Sequence, residues 1–216
     1  MLSSRPDICA AVNLLSRFQN APTEEHWKAL KRVVRYLQGT KDFSLVYSRT
    51  KNDPLIGYAD ADWGSDVNDR RSTSGFCFKI FDNTVTWVTR KQSTVSLSST
   101  EAEYVSLSQA ACEAIWLRNL ATEFGVDPDS PVVIFEDNQS CIQVAKEPRD
   151  QKRLKHIDIR YNFVRERIEE HEIEVQYIPT GKQVADLLTK GLPTDVFKKH
   201  RQALGLRGGV EKQTLG

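Results

Sequence analysis

The sequence predicts an α/β fold, and three kinds of observation support this prediction. Strand-like apolar runs recur along the chain, segments with apolar residues at helical spacing separate them, and glycine, proline and capping residues mark the boundaries. The resulting order is β-β-β-α-β-α-α-β-α, preceded by a helical segment. With 216 residues, 39% of them hydrophobic and 27% charged, the chain is typical of a folded globular protein.

Two helices are predicted in the first 50 residues. The first covers 6–17, with Pro6 near its first position; the second follows Thr23, which can cap it, and ends at Gly39. One face of the second helix carries four cations, here called the basic stripe: Lys28, Lys31, Arg32 and Arg35. A basic stripe is either an ordinary solvated face or a surface that contacts phosphates.

The remaining elements follow in order. Three strands are predicted at 55–62, 74–81 and 84–89, and the link Asp82-Asn83 is short enough for a hairpin. A long helix is predicted from Thr100 to about Glu123. The later elements are a buried strand at 131–136, helices at roughly 138–146 and 153–170, a strand at 172–178 and a helix at about 182–190.

Acidic residues stand at four points of this order. They are Asp60 in the first strand, Glu103 at the start of the long helix, Asp137 after the buried strand and Asp186 in the last helix. Each has an ordinary alternative role: a solvated edge strand, a capping box with Thr100, a helix cap and a helix surface. Because sites in α/β sheets form outside the carboxyl ends of strands, the joint placement favours one shared site.

Four carboxylates without a His or Cys partner predict a site for Mg²⁺ or Mn²⁺. The cysteines and histidines are scattered and lack the spacing of zinc ligands. Two divalent ions about 4 Å apart can activate water and stabilise the leaving oxygen of a phosphodiester. The acids therefore predict phosphodiester hydrolysis with two such ions.

Five blocks carry a resemblance to a known family. They are GYADADWGSDVNDRRSTSGFCF, VSLSSTEAEYVSLSQAACEAIWLRNL, EDNQSCIQVAK, RLKHIDIRYNFVRE and IEVQYIPTGKQVADLLTK. In this order they resemble the ribonuclease H part of the Pol polyprotein of copia-type LTR retrotransposons. The resemblance implies a ribonuclease H-like mixed five-stranded sheet flanked by helices over 55–190, and hydrolysis of the RNA strand of RNA–DNA hybrids during reverse transcription.

The resemblance also assigns roles to residues. It implies that the four acids are both catalytic residues and metal ligands: Asp60, Glu103, Asp137 and Asp186. It selects Glu103 over Glu101 because the family's glutamate precedes an aromatic residue or Leu. The loop 179–182 lacks the histidine that cellular ribonucleases H carry there, which implies a slower or polymerase-assisted enzyme.

Beyond the domain, residues 1–50 resemble the connection between polymerase and ribonuclease H, and 191–216 resemble the C-terminal tail of the polyprotein. No Tyr-x-Asp-Asp polymerase motif is present, so we expect a truncated copy or excised piece of a larger polyprotein.

The expected partners are an RNA–DNA hybrid and the polymerase part of the same polyprotein. A second basic cluster should help the basic stripe to bind the hybrid: Arg149, Lys152, Arg153, Lys155 and Arg160.

The expected location is intracellular and cytoplasmic, in a virus-like particle if the whole element is expressed. The reason is that no signal or membrane-spanning segment is apparent and no cysteine spacing suggests disulfides.

Two other functions stay open. An integrase-like core could use Asp60, Asp137 and Glu172, but it leaves Glu103 and Asp186 without roles. Alternatively, the chain is an inactive or domesticated fragment that binds nucleic acid without cutting it.

Overall fold

The computed structural model describes residues 3–49, 55–126, 130–147 and 158–209. A short 3-10 turn at Pro6–Ile8 precedes the regular elements. In chain order these are α1 (Cys9–Ser16), α2 (Glu24–Gly39), β1 (Ser44–Leu45), β2 (Leu55–Asp62), β3 (Thr73–Ile80), β4 (Asn83–Lys91), α3 (Ser99–Glu123), β5 (Val132–Glu136), α4 (Gln139–Lys146), α5 (Asp158–Glu169), β6 (Ile173–Tyr177), α6 (Asp186–Thr189), α7 (Thr194–Ala203) and β7 (Leu206–Arg207).

Five of the strands form one mixed sheet in the order β4-β3-β2-β5-β6. β3 runs antiparallel to both β2 and β4, whereas β5 runs parallel to β2 and β6. The predicted mixed five-stranded sheet flanked by helices is therefore confirmed. Its central strand is β2, and the neighbouring β5 ends at the same edge of the sheet because the two strands are parallel.

The two faces of the sheet bury different helices. Phe76 and Phe78 of β3 belong to the larger apolar cluster, which includes residues of α3, α4 and α5. The intervening Cys77 belongs to a smaller cluster with residues of α1, α6 and the segment around α7. Since successive residues of a strand point to opposite faces, helices cover the sheet on both sides.

The hairpin link and the last predicted helix differ from the sequence prediction. The hairpin turns at Phe81 and Asp82, both with positive φ (48° and 62°), so its two-residue link lies one position earlier than predicted. The predicted helix at 182–190 is only the short α6, preceded by a 3-10 turn at Thr180–Lys182. The reason is that the backbone at Gln183 is extended (φ −71°, ψ 100°), and its side-chain amide donates to the carbonyls of Ala59 and Phe135.

No element was predicted after residue 190, but the structure has two. α7 covers Thr194–Ala203, and β7 pairs antiparallel with β1 of the N-terminal segment. The described C-terminal residues thus fold back onto the first 50. The proposed boundaries at 1–50, 55–190 and 191–216 stay predictions.

α2 begins after Thr23, as predicted, and Thr23 accepts a hydrogen bond from the His26 amide. Its apolar residues Trp27 and Val34 are nevertheless 59% and 55% exposed, and the helix buries none of its residues. Its amphipathic pattern predicted the helix but not its exposed setting. Among the helices that the structure describes, none is long and apolar enough to cross a bilayer.

A buried carboxylate joins the N-terminal segment to the sheet. Asp66 lies 2.6 Å from Lys91 Nζ on β4 and 3.3 Å from Arg17 Nη1 at the end of α1. The hydrogen bond from Lys91 is the largest cause that lowers the pKa of Asp66 to about 2. Asp66 is therefore ionised throughout the neutral range and links two elements.

We expect Asp66→Asn to lower the free energy of unfolding by about 2 kcal/mol at neutral pH, the scale of hydrogen bonds to charged groups. Because the pKa is depressed in the folded state, this stability is present above the ordinary value of 3.8 and is lost as pH falls through about 2. Urea unfolding of both proteins between pH 7 and 3 should show the difference shrinking. Asp69→Asn, which keeps the Asp66–Lys91 pair, is the control; a pH-independent difference would contradict the prediction.

Candidate active site

Asp60 lies on the central strand β2 and is 1% exposed. Thr189 of α6 donates a hydrogen bond to its Oδ2, and Lys190 Nζ lies 3.4 Å from its Oδ1. The facing residue on β3 is Gly75. A buried acid within an apolar strand is unfavourable unless it is paired or binds a cation, and Asp60 has both hydroxyl and ammonium partners.

Asp186 is the first residue of α6, which packs beside β2 and β3. Lys190 Nζ lies 2.9 Å from Asp186 Oδ1, so one ammonium group contacts both acids. The hydrogen bonds of Gln183 to Ala59 and Phe135 hold the segment before α6 across β2 and β5. This places Asp186 next to Asp60, as the shared site requires.

Glu103 and Asp137 complete the predicted set, and neither serves as a helix cap. The N-cap of α3 is Ser98, and Glu101 accepts a hydrogen bond from the amide of Leu97. The N-cap of α4 is Asn138, which accepts a hydrogen bond from the amide of Cys141. The capping alternatives for Glu103 and Asp137 were therefore wrong, because neighbouring residues perform both capping roles.

The structure brings the four predicted acids to one centre. One oxygen from each of Asp60, Asp137 and Asp186 lies within 4.8 Å of the other two. A second group with the same spacing contains Glu103, Glu136 and Asp137. Asp137 belongs to both groups, so five carboxylates form one continuous cluster at the carboxyl ends of β2 and β5.

Sequence reasoning missed Glu136. It is the last residue of β5 and is fully buried. The run 131–136 predicts a buried strand, and its terminal acid fits that strand as its last residue. An acid at the end of a continuous apolar strand, directly before another acid, was the available signal.

Burial and mutual repulsion dominate the electrostatics of the cluster. Burial raises the pKa of Asp60 to about 6, and burial together with the charge of Glu136 raises that of Glu103 to about 11. Burial also raises the pKa of Glu136 well above its usual range, and that of Asp186. Burial lowers the pKa of Lys190, but its contacts with Asp60 and Asp186 more than offset this and raise it overall.

Two buried carboxylate oxygens of the cluster have neither a hydrogen-bond partner nor an ion-pair partner among the described residues: Glu103 Oε2 and Glu136 Oε2. Both atoms are buried, so water does not satisfy them freely. Oxygen ligands of this kind suit hard cations such as Mg²⁺ and Mn²⁺, which would also relieve the repulsion. The residues present fit a divalent cation.

The basic residues are less completely located. All four side chains of the basic stripe on α2 are exposed, and Lys28 makes only a weak pair with Glu24 at 4.0 Å. Of the second basic cluster, Arg160 is half-buried on α5, whereas Arg149, Lys152, Arg153 and Lys155 lie outside the described residues. A role of either group in binding nucleic acid stays a prediction.

Glu172, the third acid of the integrase alternative, lies apart from the cluster. It precedes β6, and its Oε2 pairs with Arg167 Nη1 at 2.7 Å. Neither carboxylate group at the centre includes it. The geometry therefore favours the four predicted acids over an integrase-like triad.

The sheet order and the carboxylate cluster define the class, a ribonuclease H-like α/β domain. No protein-family model matches the chain. Its sequence is 37% identical over 95% of its length to the retrovirus-related Pol polyprotein from transposon TNT 1-94 of Nicotiana tabacum, and 38% identical over 94% to that from transposon RE1 of Arabidopsis thaliana. The chain belongs to the family of Pol polyproteins of copia-type transposons. It spans only about 15% of the length of these relatives.

A shorter relative is also similar. Secreted RxLR effector protein 161 of Plasmopara viticola is 53% identical over 54% of this chain and 82% of its own length. Among solved structures, LC11-RNase H1, isolated from compost, is 16% identical and covers 68% of this chain and 98% of its own, with a TM-score of 0.49. The family assignment follows from the sequence relatives.

Proposed function

We propose that this chain is the ribonuclease H part of a copia-type Pol polyprotein and hydrolyses the RNA strand of RNA–DNA hybrids with divalent cations. The observation that carries the proposal is the cluster at the ends of β2 and β5, where all four acids expected from the family motif meet. The proposed ligands and catalytic residues are Asp60, Glu103, Asp137 and Asp186.

The residues of the cluster would have distinct tasks. Two Mg²⁺ or Mn²⁺ ions, when bound, supply an activated water and stabilise the leaving oxygen. Asp60, Asp137 and Asp186 have the spacing to hold one cation, and Asp137 can share a second with Glu103. Lys190 neutralises Asp60 and Asp186 in the metal-free protein and holds α6 against β2.

The proposal includes the partners and the location that the family implies. The partners are an RNA–DNA hybrid and the polymerase part of the same polyprotein, and the location is the cytoplasm or a virus-like particle. The exposed basic stripe is available to bind phosphates of the hybrid. The loop 179–182, which contains no histidine, favours slow turnover when the polymerase part is absent.

The test is a cleavage assay with the 216-residue chain and a hybrid whose RNA strand carries an end label. We expect internal cuts in the RNA strand with Mg²⁺ or Mn²⁺, and none with EDTA. Duplex DNA of the same sequence should stay intact, since contacts to the 2′-hydroxyl distinguish RNA from DNA. Cutting of duplex DNA at a similar rate would instead support an integrase-like activity.

The second candidate is an inactive or domesticated fragment that binds nucleic acid. The relative named as a secreted effector favours it, because that protein is named for a role outside a Pol polyprotein. In this case the chain would bind the hybrid in a filter or anisotropy assay but leave it uncut at every metal concentration. Binding without cleavage would therefore select the second candidate.

A further inference from the structure

Glu136 differs from the other acids of the cluster, since no role for it follows from the family motif. It is fully buried at the end of β5. Its Oε1 accepts a hydrogen bond from the amide of Asn138 at 3.0 Å, whereas its Oε2 has no partner among the residues that the structure describes. One oxygen of Glu136 lies within 4.8 Å of an oxygen of Glu103 and one of Asp137.

The positive charge of the cluster is placed unevenly. Lys190 contacts Asp60 and Asp186 at 3.4 Å and 2.9 Å. Within the described ranges, no Lys or Arg forms an ion pair with Glu103 or Glu136. A buried carboxylate pair without a cation is unfavourable, so this half of the cluster needs either protons or a metal ion.

We propose that Glu136 is a fifth cation ligand and that Glu103, Glu136 and Asp137 together hold one divalent ion. The ion held by Asp60, Asp137 and Asp186 would be its neighbour, because Asp137 belongs to both groups. The proposal rests on the proposed function for the kind of cation. The unpartnered oxygens of Glu103 and Glu136, both buried, are the independent observation that supports it.

A purely structural Glu136 would behave differently. If Glu136 were a permanently protonated acid that only accepts the Asn138 amide, Gln would replace it with the same shape and a similar hydrogen bond. A metal ligand would lose affinity in the same substitution, because the amide oxygen carries no charge. Glu136→Gln therefore separates the two roles.

The experiment is a titration of the full chain with Mn²⁺ at neutral pH, in which free Mn²⁺ is followed by its electron paramagnetic resonance signal. We expect the unmodified protein to bind two ions, and Glu136→Gln to bind one of them at least about tenfold more weakly. The matched control is Glu174→Gln, a glutamate of the same sheet that lies outside the cluster. The control should bind as the unmodified protein does.

The Mn²⁺-dependent rise in melting temperature is the second measurement. It should be smaller in Glu136→Gln, while the metal-free melting temperature stays equal or rises because Gln replaces a buried carboxyl whose ionised form is disfavoured there. Unchanged Mn²⁺ affinity and stoichiometry in Glu136→Gln would overturn the proposal. If that variant fails to fold, a single Mn²⁺ ion bound by the unmodified protein overturns it equally.

The hybrid-cleavage assay reports on the proposed function separately. A chain that binds two Mn²⁺ ions and loses one in Glu136→Gln, but never cuts the hybrid, would refute the nuclease and keep the cation ligand. A chain that cuts the hybrid while Glu136→Gln binds Mn²⁺ normally would support the nuclease and overturn the assignment of Glu136 as a cation ligand.

Discussion

Asp137→Asn should lower the rate of Mg²⁺-dependent hybrid cleavage by about a thousandfold or more, the effect of removing several kcal/mol of metal-based stabilisation. Asp137 has the largest expected effect because it belongs to both carboxylate groups, so its loss weakens two cation sites together. The measurement is single-turnover cleavage at saturating protein. Circular dichroism and the metal-free melting temperature should be unchanged or slightly higher, since repulsion within the cluster falls.

Two further variants locate the glutamate of the site and act as controls for this result. Glu103→Gln should be inactive, because Glu103 is buried within the cluster. Glu101→Gln should stay largely active, because Glu101 only accepts a hydrogen bond from the Leu97 amide at the start of α3. Full activity in Asp137→Asn, or activity in Glu103→Gln but not in Glu101→Gln, would contradict the assignment.

The sheet and the four acids could be predicted because both depend on local patterns. Alternation and apolar runs located β2, β3, β4, β5 and β6 to within a few residues, and the parallel pairing of β2 with β5 brings the ends of both strands together. Asp60 and Asp137 therefore converge through the strand order alone. The placement of Glu103 needed the family motif, since a capping role was equally compatible with the sequence.

The features that were missed depend on tertiary contacts. Gln183 bonds to the carbonyls of two strands, which shortens the helix expected at 182–190, and no local pattern reveals such a bond. The pairing of β7 with β1 joins residues about 160 positions apart and is equally invisible locally. Glu136 was missed for a different reason. It ends an otherwise apolar run, which predicts a buried strand, and the sequence does not show that its carboxylate lies beside other acids.

Gly75 explains how α6 can lie so close to the sheet. It pairs with Asp60 across β2 and β3, and α6 packs over it. A Cβ atom at this position would lie 2.6 Å from Thr189 Cγ2 and 2.9 Å from Leu188 Cβ. The helix cannot easily move away, because Thr89 of β4 donates a hydrogen bond of 2.7 Å to the carbonyl of Leu188.

We therefore expect Gly75→Ala to lower the free energy of unfolding by about 2–3 kcal/mol, the usual cost of overpacking a close contact. It should also reduce hybrid cleavage by about a hundredfold, because a displacement of about 1 Å at a catalytic group costs this much in rate. The displaced groups would be Asp186 and the Thr189 hydroxyl that bonds to Asp60. Urea unfolding and single-turnover cleavage are the two measurements.

The matched control for Gly75→Ala is Gly181→Ala, because a Cβ atom at Gly181 meets nothing within 4 Å. It should leave both stability and cleavage nearly unchanged, so a loss confined to Gly75→Ala is a consequence of the contact with α6. Saturating Mn²⁺ should restore part of the lost stability, since a cation that binds only the folded protein favours the arrangement in which Asp186 approaches Asp60. Normal stability and cleavage in Gly75→Ala would show that α6 can shift freely and that its close contact with β3 does not position Asp186.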